Sequence, residues 1–563
     1  MNAVSKAASN PSKLVAYPAE AAGLYRSAGL WAARTIGQEL RTVARAFPHN
    51  EAVVDPRRRL TYRELDRRTE VLASSVLGLG LDPGDPVLLQ VGNRVETVEA
   101  WYGLLKAGLV PVCTLPQHGH HEIDAIATIA AARGHLVEVD GLRRDAVRFG
   151  REAATAAPSL RTLLTVGGDG GDGRVEEMAE SPDPAAAAVR VAEAEEAFGP
   201  DDLAVLQLSG GTTGTPKLIP RLHAEYWYNA VATARRWSLR PDDRVAQVLP
   251  LVHNAGIHGA LHAAHSVGAT LLIASPDPDT FLPFLARERA TTLFLVPGLA
   301  GALLERRDLV PAVARLRRLS LAGAAVPPEL FSDLSALGVN VLQHLGMGEG
   351  ICMAMPTDAP LRMRMSTVGF PLSPLDDVRI VDPSTKADVA VGEVGELWAR
   401  GPYTIRGYYG APARNAVAFS PDGFYKTGDL VETVPVGDTV CYRHAGRIKD
   451  LINRGGEKIS VEEVELLLVS HPWVRAAAVV AMPDARLGER SCAFVVPMGE
   501  GSVDLDGIRA YLAGRDVARY KWPERLELVA RLPTTALGKV SKAALREEIA
   551  LRIVTEGGPH AHR

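Results

Sequence analysis

Residues 208–217 read LSGGTTGTPK, and this run constrains the chain more than any other. Seven Gly, Ser and Thr residues stand in a row, followed by a proline and a lysine. Such a stretch offers many backbone N–H groups, several hydroxyls and one cation, and glycine lets the backbone approach an oxyanion with no Cβ in the way. The apolar run Leu203–Leu208 reads as a strand and a helical pattern starts near Ala224, so the loop is expected between strand and helix, a setting that suits phosphate. The expected ligand is a nucleoside triphosphate. The pattern is not GxxxxGK[ST], because Pro216 stands where glycine must precede the lysine and Leu218 follows it.

At 563 residues the chain exceeds what one hydrophobic core usually supports, so two or more domains are expected. Sixty-two basic residues against 66 acidic ones, a net of −4, give no global attraction to nucleic acid or membrane. Cys113, Cys352, Cys441 and Cys492 are far apart, form no CxxC pair and sit in apolar settings, which predicts buried reduced thiols. There is no apolar run of about 18 residues and no basic-then-apolar leader. A soluble cytoplasmic protein acting on small molecules is expected.

Short apolar runs at 52–54, 86–91 and 271–274 read as strands, each near an amphipathic helical stretch such as 62–79 or 281–289, an alternation that implies α/β layers. Residues 167–173, GGDGGDG, and the Ala/Glu-rich 183–198 read as a solvated excursion. Near Lys449 the pattern changes to helix 461–470, strands 476–481 and 491–497, helix 505–513 and a basic tail, a small α+β unit of about 110 residues.

Downstream of the glycine-rich loop come LAGAAVPPE from Leu321, LGMGEG from Leu345, STVGFP from Ser366, GELWARGPYTIRGYY from Gly395, DGFYKTGDL from Asp422, GRIKDLINRGGEKIS from Gly446 and LPTTALGKVSK from Leu532. Their order and spacing resemble the adenylate-forming superfamily of acyl-CoA synthetases, luciferases and nonribosomal adenylation domains. LSGGTTGTPKLIPR, RGPYTIRGYY, INRGGEK, LGERSCAFVVP and GKVSKAALRE are similar to the free-standing aryl acid AMP ligases that activate 2,3-dihydroxybenzoate or salicylate for siderophore assembly. The resemblance implies an α/β fold with a large N-terminal domain of layered sheets and helices (1–446), a hinge (447–450) and a small mobile α+β C-terminal domain (451–563). It also implies ATP and Mg²⁺.

By the same resemblance, Ser209, Gly210, Gly211, Thr212, Thr213, Gly214 and Lys217 hold the β and γ phosphates, while Gly323, Ala324 and Ala325 wall the adenine. Asp429 takes both ribose hydroxyls and Arg447 adds a phosphate or ribose contact. Glu349 binds Mg²⁺, a task that suits a hard carboxylate with the ion keeping several waters. Lys539 swings over the acyl carboxylate and α-phosphate for adenylation alone, pairing with charge that develops in the transition state. Lys449 falls at the hinge, where rotation presents another face, including Gly455 and Gly456, to an incoming thiol.

The acyl pocket is expected to be lined by His253, Asn254, Ala255, Gly259, His344 and Gly346. Asn254 falls where related enzymes read an ortho group, which argues for an aryl acid with an ortho OH or NH2. Ala255 and Gly259 stand where those enzymes carry tyrosine and serine, so the pocket is expected to take a larger or more substituted ring. His344 replaces an aliphatic residue and can meet a further polar group. His258, His262 and His265 share an α-helical face by spacing with no carboxylate or thiolate nearby in sequence, and His118, His120 and His121 cluster in a loop; packing or substrate contact is expected over metal.

An aryl acid AMP ligase that passes its acyl group to the phosphopantetheine thiol of a separate carrier protein is the leading expectation, in siderophore or secondary metabolite synthesis. An aryl-CoA ligase, or capture of the adenylate by an amine or by cyclisation, stays open. A non-catalytic sensor is disfavoured by Lys217, Glu349, Asp429 and Lys539.

Overall fold

The computed structural model describes residues 13–141, 145–180, 183–209, 217–306, 314–454, 457–484, 486–499, 503–515, 517–535 and 539–555. Its central strands are apolar at consecutive positions because both of their faces are covered. Leu271 and Ile273 face one core while Leu272 faces another, and Val87 and Leu89 oppose Leu88 in the same way.

Among the described residues the strands form four sheets. A nine-stranded sheet runs Phe370–Pro371, Cys352–Ala354, Val341–Gly346, Arg318–Leu321, Thr292–Leu295, Arg244–Gln247, Thr270–Ile273, Glu51–Val54, Arg59–Thr61. A seven-stranded sheet runs Gly173–Arg174, Thr162–Val166, Gly134–Glu138, Pro86–Gln90, Val110–Cys113, Leu203–Leu208, Leu218–Leu222. Helices Val95–Lys106 and His223–Arg236 share one core with a face of each. The other faces are covered by Pro278–Arg287, Pro297–Glu305 and Pro328–Ala336 on the first sheet and by His120–Ala130 and Ala146–Ala156 on the second. These are the expected α/β layers. His253, Gly323 and Glu349 all lie just beyond the C-terminal ends of parallel strands, where open α/β sheets hold their ligands.

Two local expectations change. The strand Leu218–Leu222, LIPRL, intervenes between the glycine-rich loop and the helix and pairs antiparallel with Leu203–Leu208. The loop therefore spans a hairpin rather than a strand-to-helix joint, because its downstream flank is apolar enough to be buried as a strand. The stretch 183–198 is not wholly solvated either: helix Pro184–Glu195 buries Ala187 and Val191, and Arg190 donates to the Ser74 carbonyl on helix Tyr62–Gly78.

A four-stranded antiparallel sheet, Asp377–Val381, Val394–Arg400, Tyr425–Val436 and Thr439–Arg447, leads to the small unit. There Glu457–Ser460, Leu451–Arg454, Gly488–Pro497 and Val474–Asp484 form a sheet completed by Arg525–Leu528. Helices Val461–Val469 and Leu505–Gly514 cover one face. The basic tail is a helix, Lys542–Thr555, whose Leu545 and Ile549 cover the other against Val480 and Phe494. Its charges had masked an apolar stripe of only a few residues. All four cysteines are buried and free.

Candidate active site

Three groups of side chains are brought together by Lys449 and Lys539, whose charges act across them. In the first, the Ser209 amide donates to the Lys217 carbonyl at 3.1 Å, closing the hairpin base under the glycine-rich loop. Gly210, Gly211, Thr212, Thr213 and Gly214 lie outside the described residues, as do Gly455 and Gly456. The Ser209 hydroxyl is buried with no partner among the described residues. Lys217 Nζ lies 5.1 Å over the Tyr408 ring, and the Tyr408 hydroxyl donates to Glu349 Oε1 at 2.7 Å. Burial, then Arg414 and Lys449, push the Lys217 pKa down, with Glu349 opposing. A cation so crowded gains from a polyanion.

The second group sits where the two units meet. Strand pairing sets Asp429 opposite Arg447. Asp429 is 2% exposed, and its Oδ1 accepts from Arg447 Nε at 2.6 Å and faces His444 Nε2 at 3.4 Å. Both of these contacts fall on Oδ1. On its other side His444 Nδ1 lies 3.0 Å from Glu462 Oε2, on the first turn of the small unit's helix Val461–Val469. Burial alone would lower the His444 pKa, but hydrogen bonds to Asp429 and Glu462 raise it to about 9. The Ser460 hydroxyl adds a bond to the Ala445 carbonyl.

Lys539 links this seam to the acyl end. A β-bridge between Thr534 and Val540 carries it, and its side chain lies against Gly323, where a Cβ would stand 2.9 Å from Lys539 Cε. Gly323 has φ +87°, and that backbone, rather than the yielding end of the lysine, is what calls for glycine there. The protein around Lys539, then Arg447 and Lys449, lower its pKa, with Asp429 opposing, although the side chain still meets solvent. Lys449, in the turn Ile448–Asp450, is thus near both Lys217 and Lys539.

The third group is the acyl end. Asn254 is 4% exposed, and its Oδ1 accepts from Arg221 at 3.2 Å and from the Tyr226 hydroxyl at 3.0 Å. Arg221 is fully buried, bidentate to Glu225 and stacked 4.2 Å over the Tyr226 ring. Arginine has only donors, so the amide orientation is decided: oxygen toward Arg221, nitrogen donating to the Met347 carbonyl at 3.3 Å. Asn254 therefore offers a donor to a ligand. His253 and His344 both have pKa values lowered to about 4 by burial and then by the Lys539 charge. His344 Nδ1 is 2.6 Å from Ser320 Oγ. At Gly259 a Cβ would be 3.6 Å from the Phe294 ring, so that ring borders the space which the glycine leaves. Ala255 and Gly346 are not buried, and a Cβ on Gly346 would meet Cys352 Sγ at 3.3 Å. Ala324 is exposed and Ala325 half-buried beside Gly323.

Residues Ala255–His262 wind as a π-helix rather than an α-helix, so the histidine face expected from spacing does not form. His262 accepts from Trp101 Nε1 at 2.9 Å, and His265 joins the Tyr102 hydroxyl to the Ala52 carbonyl. His258 lies near enough to Arg221, His344 and His253 for their charges to act on it. His118 accepts from the Leu115 amide and His120 pairs with Glu152. Among the described residues no group of His, Cys, Asp and Glu could hold a metal by itself.

Residues 40–409 match the AMP-binding enzyme family and residues 463–539 its C-terminal domain. The chain is an AMP-binding enzyme. It groups with the aryl acid adenylating ligases of that family. It is 40% identical over 95% of its length to 97% of a Streptomyces salicylyl-CoA synthase / salicylate adenylyltransferase. It is 38% identical over 96% of its length to 98% of the 2,3-dihydroxybenzoate-AMP ligase of Bacillus subtilis. The apo structure of MbtA from Mycobacterium smegmatis superposes with a TM-score of 0.69 at 38% identity, covering 96% of this chain and 99% of that one. Sequence reasoning passed over Arg221, Tyr226, Tyr408, Arg414, His444 and Glu462 in this enzyme. A lone arginine inside the apolar strand LIPRL was the one clear signal among them.

Proposed function

We propose that the enzyme joins ATP to an aryl acid bearing an ortho oxygen, releasing pyrophosphate, and then passes the acyl group to a phosphopantetheine thiol. The observation that carries the acid is Asn254. With Oδ1 taken by Arg221 and Tyr226, it presents N–H, which an ortho hydroxyl oxygen or phenolate accepts well and an aniline nitrogen, its lone pair drawn into the ring, accepts poorly. Ortho-hydroxy acids are favoured over ortho-amino acids on this ground.

In the first half-reaction a carboxylate oxygen attacks the α-phosphorus and the bond from that phosphorus to the pyrophosphate oxygen breaks. Two anions approach, so neutralisation and alignment dominate. Lys217, with Ser209 and residues 210–214, takes the β and γ phosphates. Lys539 pairs with charge on the carboxylate and α-phosphate, Lys449 and Arg447 stand beside it, Asp429 Oδ2 holds the ribose, and Gly323, Ala324 and Ala325 flank the base. Glu349 fits Mg²⁺, since it is a buried carboxylate with Oε1 fixed by Tyr408 and Oε2 unpartnered among the described residues, and Mg²⁺ takes one or two carboxylates plus phosphates and water. When bound, the ion neutralises phosphate charge.

In the second half-reaction the thiol sulfur attacks the acyl carbon, AMP leaves and the thiol proton goes to solvent. We take 447–450 as the hinge between 1–446 and 451–563, with Lys539 withdrawn at this stage. A carrier protein is the proposed acceptor and coenzyme A the alternative, since both end in the same thiol. Four buried free cysteines support a reducing cytoplasm. Among the described residues no helix is long and apolar enough to cross a membrane.

Pyrophosphate exchange over ortho-hydroxy, ortho-amino and unsubstituted benzoates, followed by thioester formation with coenzyme A or a carrier protein, tests this reading. Salicylate-type acids are expected to lead, and equal exchange with benzoate would remove Asn254 from recognition.

A further inference from the structure

The acyl end holds more polar groups than an ortho-substituted ring can use. Beyond Gly259 stands a cluster of rings, Phe294 with Trp237 at 4.8 Å between centroids and Trp237 with His344 at 5.7 Å. Trp237 is 2% exposed, and its indole N–H, which can only donate, has no acceptor among the described residues. Buried indole N–H groups ordinarily find a partner. His258 is 6% exposed, and its Nδ1 is also without a partner among the described residues. His344 spends Nδ1 on Ser320 and keeps Nε2.

His262 carries a similar orphan nitrogen, but it is enclosed by Trp101, Tyr102, Tyr226 and Trp227 in the core. Trp237 and His258 differ in place, since Trp237 stands beside His344 and His258 adjoins Gly259 in the π-helix. Burial first, then the charge of Arg221, keeps the His258 pKa well below its ordinary value, and His344 is depressed to about 4. The imidazoles are neutral there, no carboxylate stands among Trp237, Phe294, His258, His344 and Ser320, and the cations that act on the two histidines are committed elsewhere, Arg221 to Glu225 and Lys539 to the carboxylate end of the acid. The subsite suits an uncharged group.

Resting on the aryl acid reading, we propose that Trp237, His258 and His344 form a distal subsite for an uncharged hydrogen-bond acceptor, so the natural acid carries a carbonyl, ether oxygen or ring nitrogen remote from its carboxylate. Substrate docking satisfies the indole N–H. An acid with a hydrocarbon group of the same shape leaves it unpaired, which a site built for a polar group penalises.

The test is pyrophosphate exchange with 2-hydroxybenzoates carrying acetyl at ring position 4 or 5 against the same acids carrying isopropyl, which matches the shape and lacks the acceptor. Wild-type enzyme is expected to favour the acetyl acid at one of these positions by about tenfold in kcat/KM. Trp237→Phe is expected to cut that preference to about threefold or less, with exchange on 2-hydroxybenzoate itself within about twofold of wild type. His258→Gln is the second variant, needed if Trp237→Phe does not fold, and is expected to reduce the preference as well. Isopropyl acids used as well as acetyl acids by wild-type enzyme would overturn the subsite while leaving the aryl acid reading intact. A preference unchanged in both variants would overturn the assignment to these residues. Failure of every ortho-hydroxy acid would overturn the aryl acid reading and this inference with it.

Discussion

His344, at the acyl end, and His444, at the seam between the units, are linked through Lys539 and titrate in opposite directions. His344, hemmed by Trp237, Phe294 and Ser320 and near the Lys539 charge, is depressed to about 4. His444, between Asp429 and Glu462, is raised to about 9. Both are partly buried, so desolvation alone does not separate them; the partner carboxylates do. The acyl end is built to stay neutral around an aromatic ring. The seam is built charged, and one of its ions belongs to the unit expected to move.

Lys539 stands between these ends and belongs to the small unit, proposed above to move, so its removal breaks the comparison most severely. Lys539→Ala is expected to lower pyrophosphate exchange by about a thousandfold or more while ATP and acid still bind, because the ammonium acts on charge developing in the transition state. Transfer from preformed acyl adenylate to the thiol is expected to survive. Exchange near the wild-type rate would remove Lys539 from catalysis.

Lys449→Pro confines the perturbation to the seam. Proline fixes φ in the turn Ile448–Asp450, so thioester formation is expected to fall about a hundredfold while exchange persists. The same substitution removes a charge near Lys217 and Lys539. Lys449→Gln separates the two effects, and is expected to lower exchange severalfold with little change in transfer. Equal loss of both half-reactions in Lys449→Pro would make the position merely structural.

Asn254→Leu sharpens the acyl end. A buried ortho oxygen then loses its donor, and Arg221 and Tyr226 lose an acceptor, at a cost of about 1–3 kcal/mol in kcat/KM for ortho-hydroxy acids. Benzoate is expected to change far less. Uniform loss across ortho-hydroxy acid and benzoate would mean that the variant damages the pocket rather than its recognition.

The layered fold was legible because strands buried on both faces leave apolar runs such as Thr270–Ile273, and period 3.6 marks helices such as Tyr62–Gly78. The strand Leu218–Leu222 escaped notice because a proline and an arginine interrupt it, and both are accommodated: Arg221 is paired with Glu225 inside the core. The π-helix escaped notice because Ala, Gly, His and Leu at these positions carry no signal separating i→i+5 from i→i+4 winding. Asp429, Glu349 and Lys539 were singled out by resemblance, because each sits inside a contiguous motif. Arg221, Trp237, His444 and Glu462 were not, since their roles arise from contacts across more than fifteen positions or between units, which no local pattern encodes.

The smallest effect is a pH signature that differs between the two ends. Protonated His444 is favoured by folding, since its pKa is raised from about 6.5 in the unfolded chain to about 9. Its contribution to stability is therefore complete below about pH 6.5 and is lost as pH rises through about 9. For His253 and His344 the sign reverses: the unfolded chain binds more protons between about 6.5 and 4, so their contribution is present above that window and is lost as pH falls through it. Thermal melts of the apo-enzyme are expected to show His444→Gln flattening the alkaline side of the Tm profile by about 2 °C, and His344→Gln flattening the acid side by a similar amount. Arg447 continues to pair with Asp429 when His444 is lost, which keeps the first change small. An alkaline limb identical in wild type and His444→Gln would mean that the Asp429–His444–Glu462 bridge does not hold the two units together in solution.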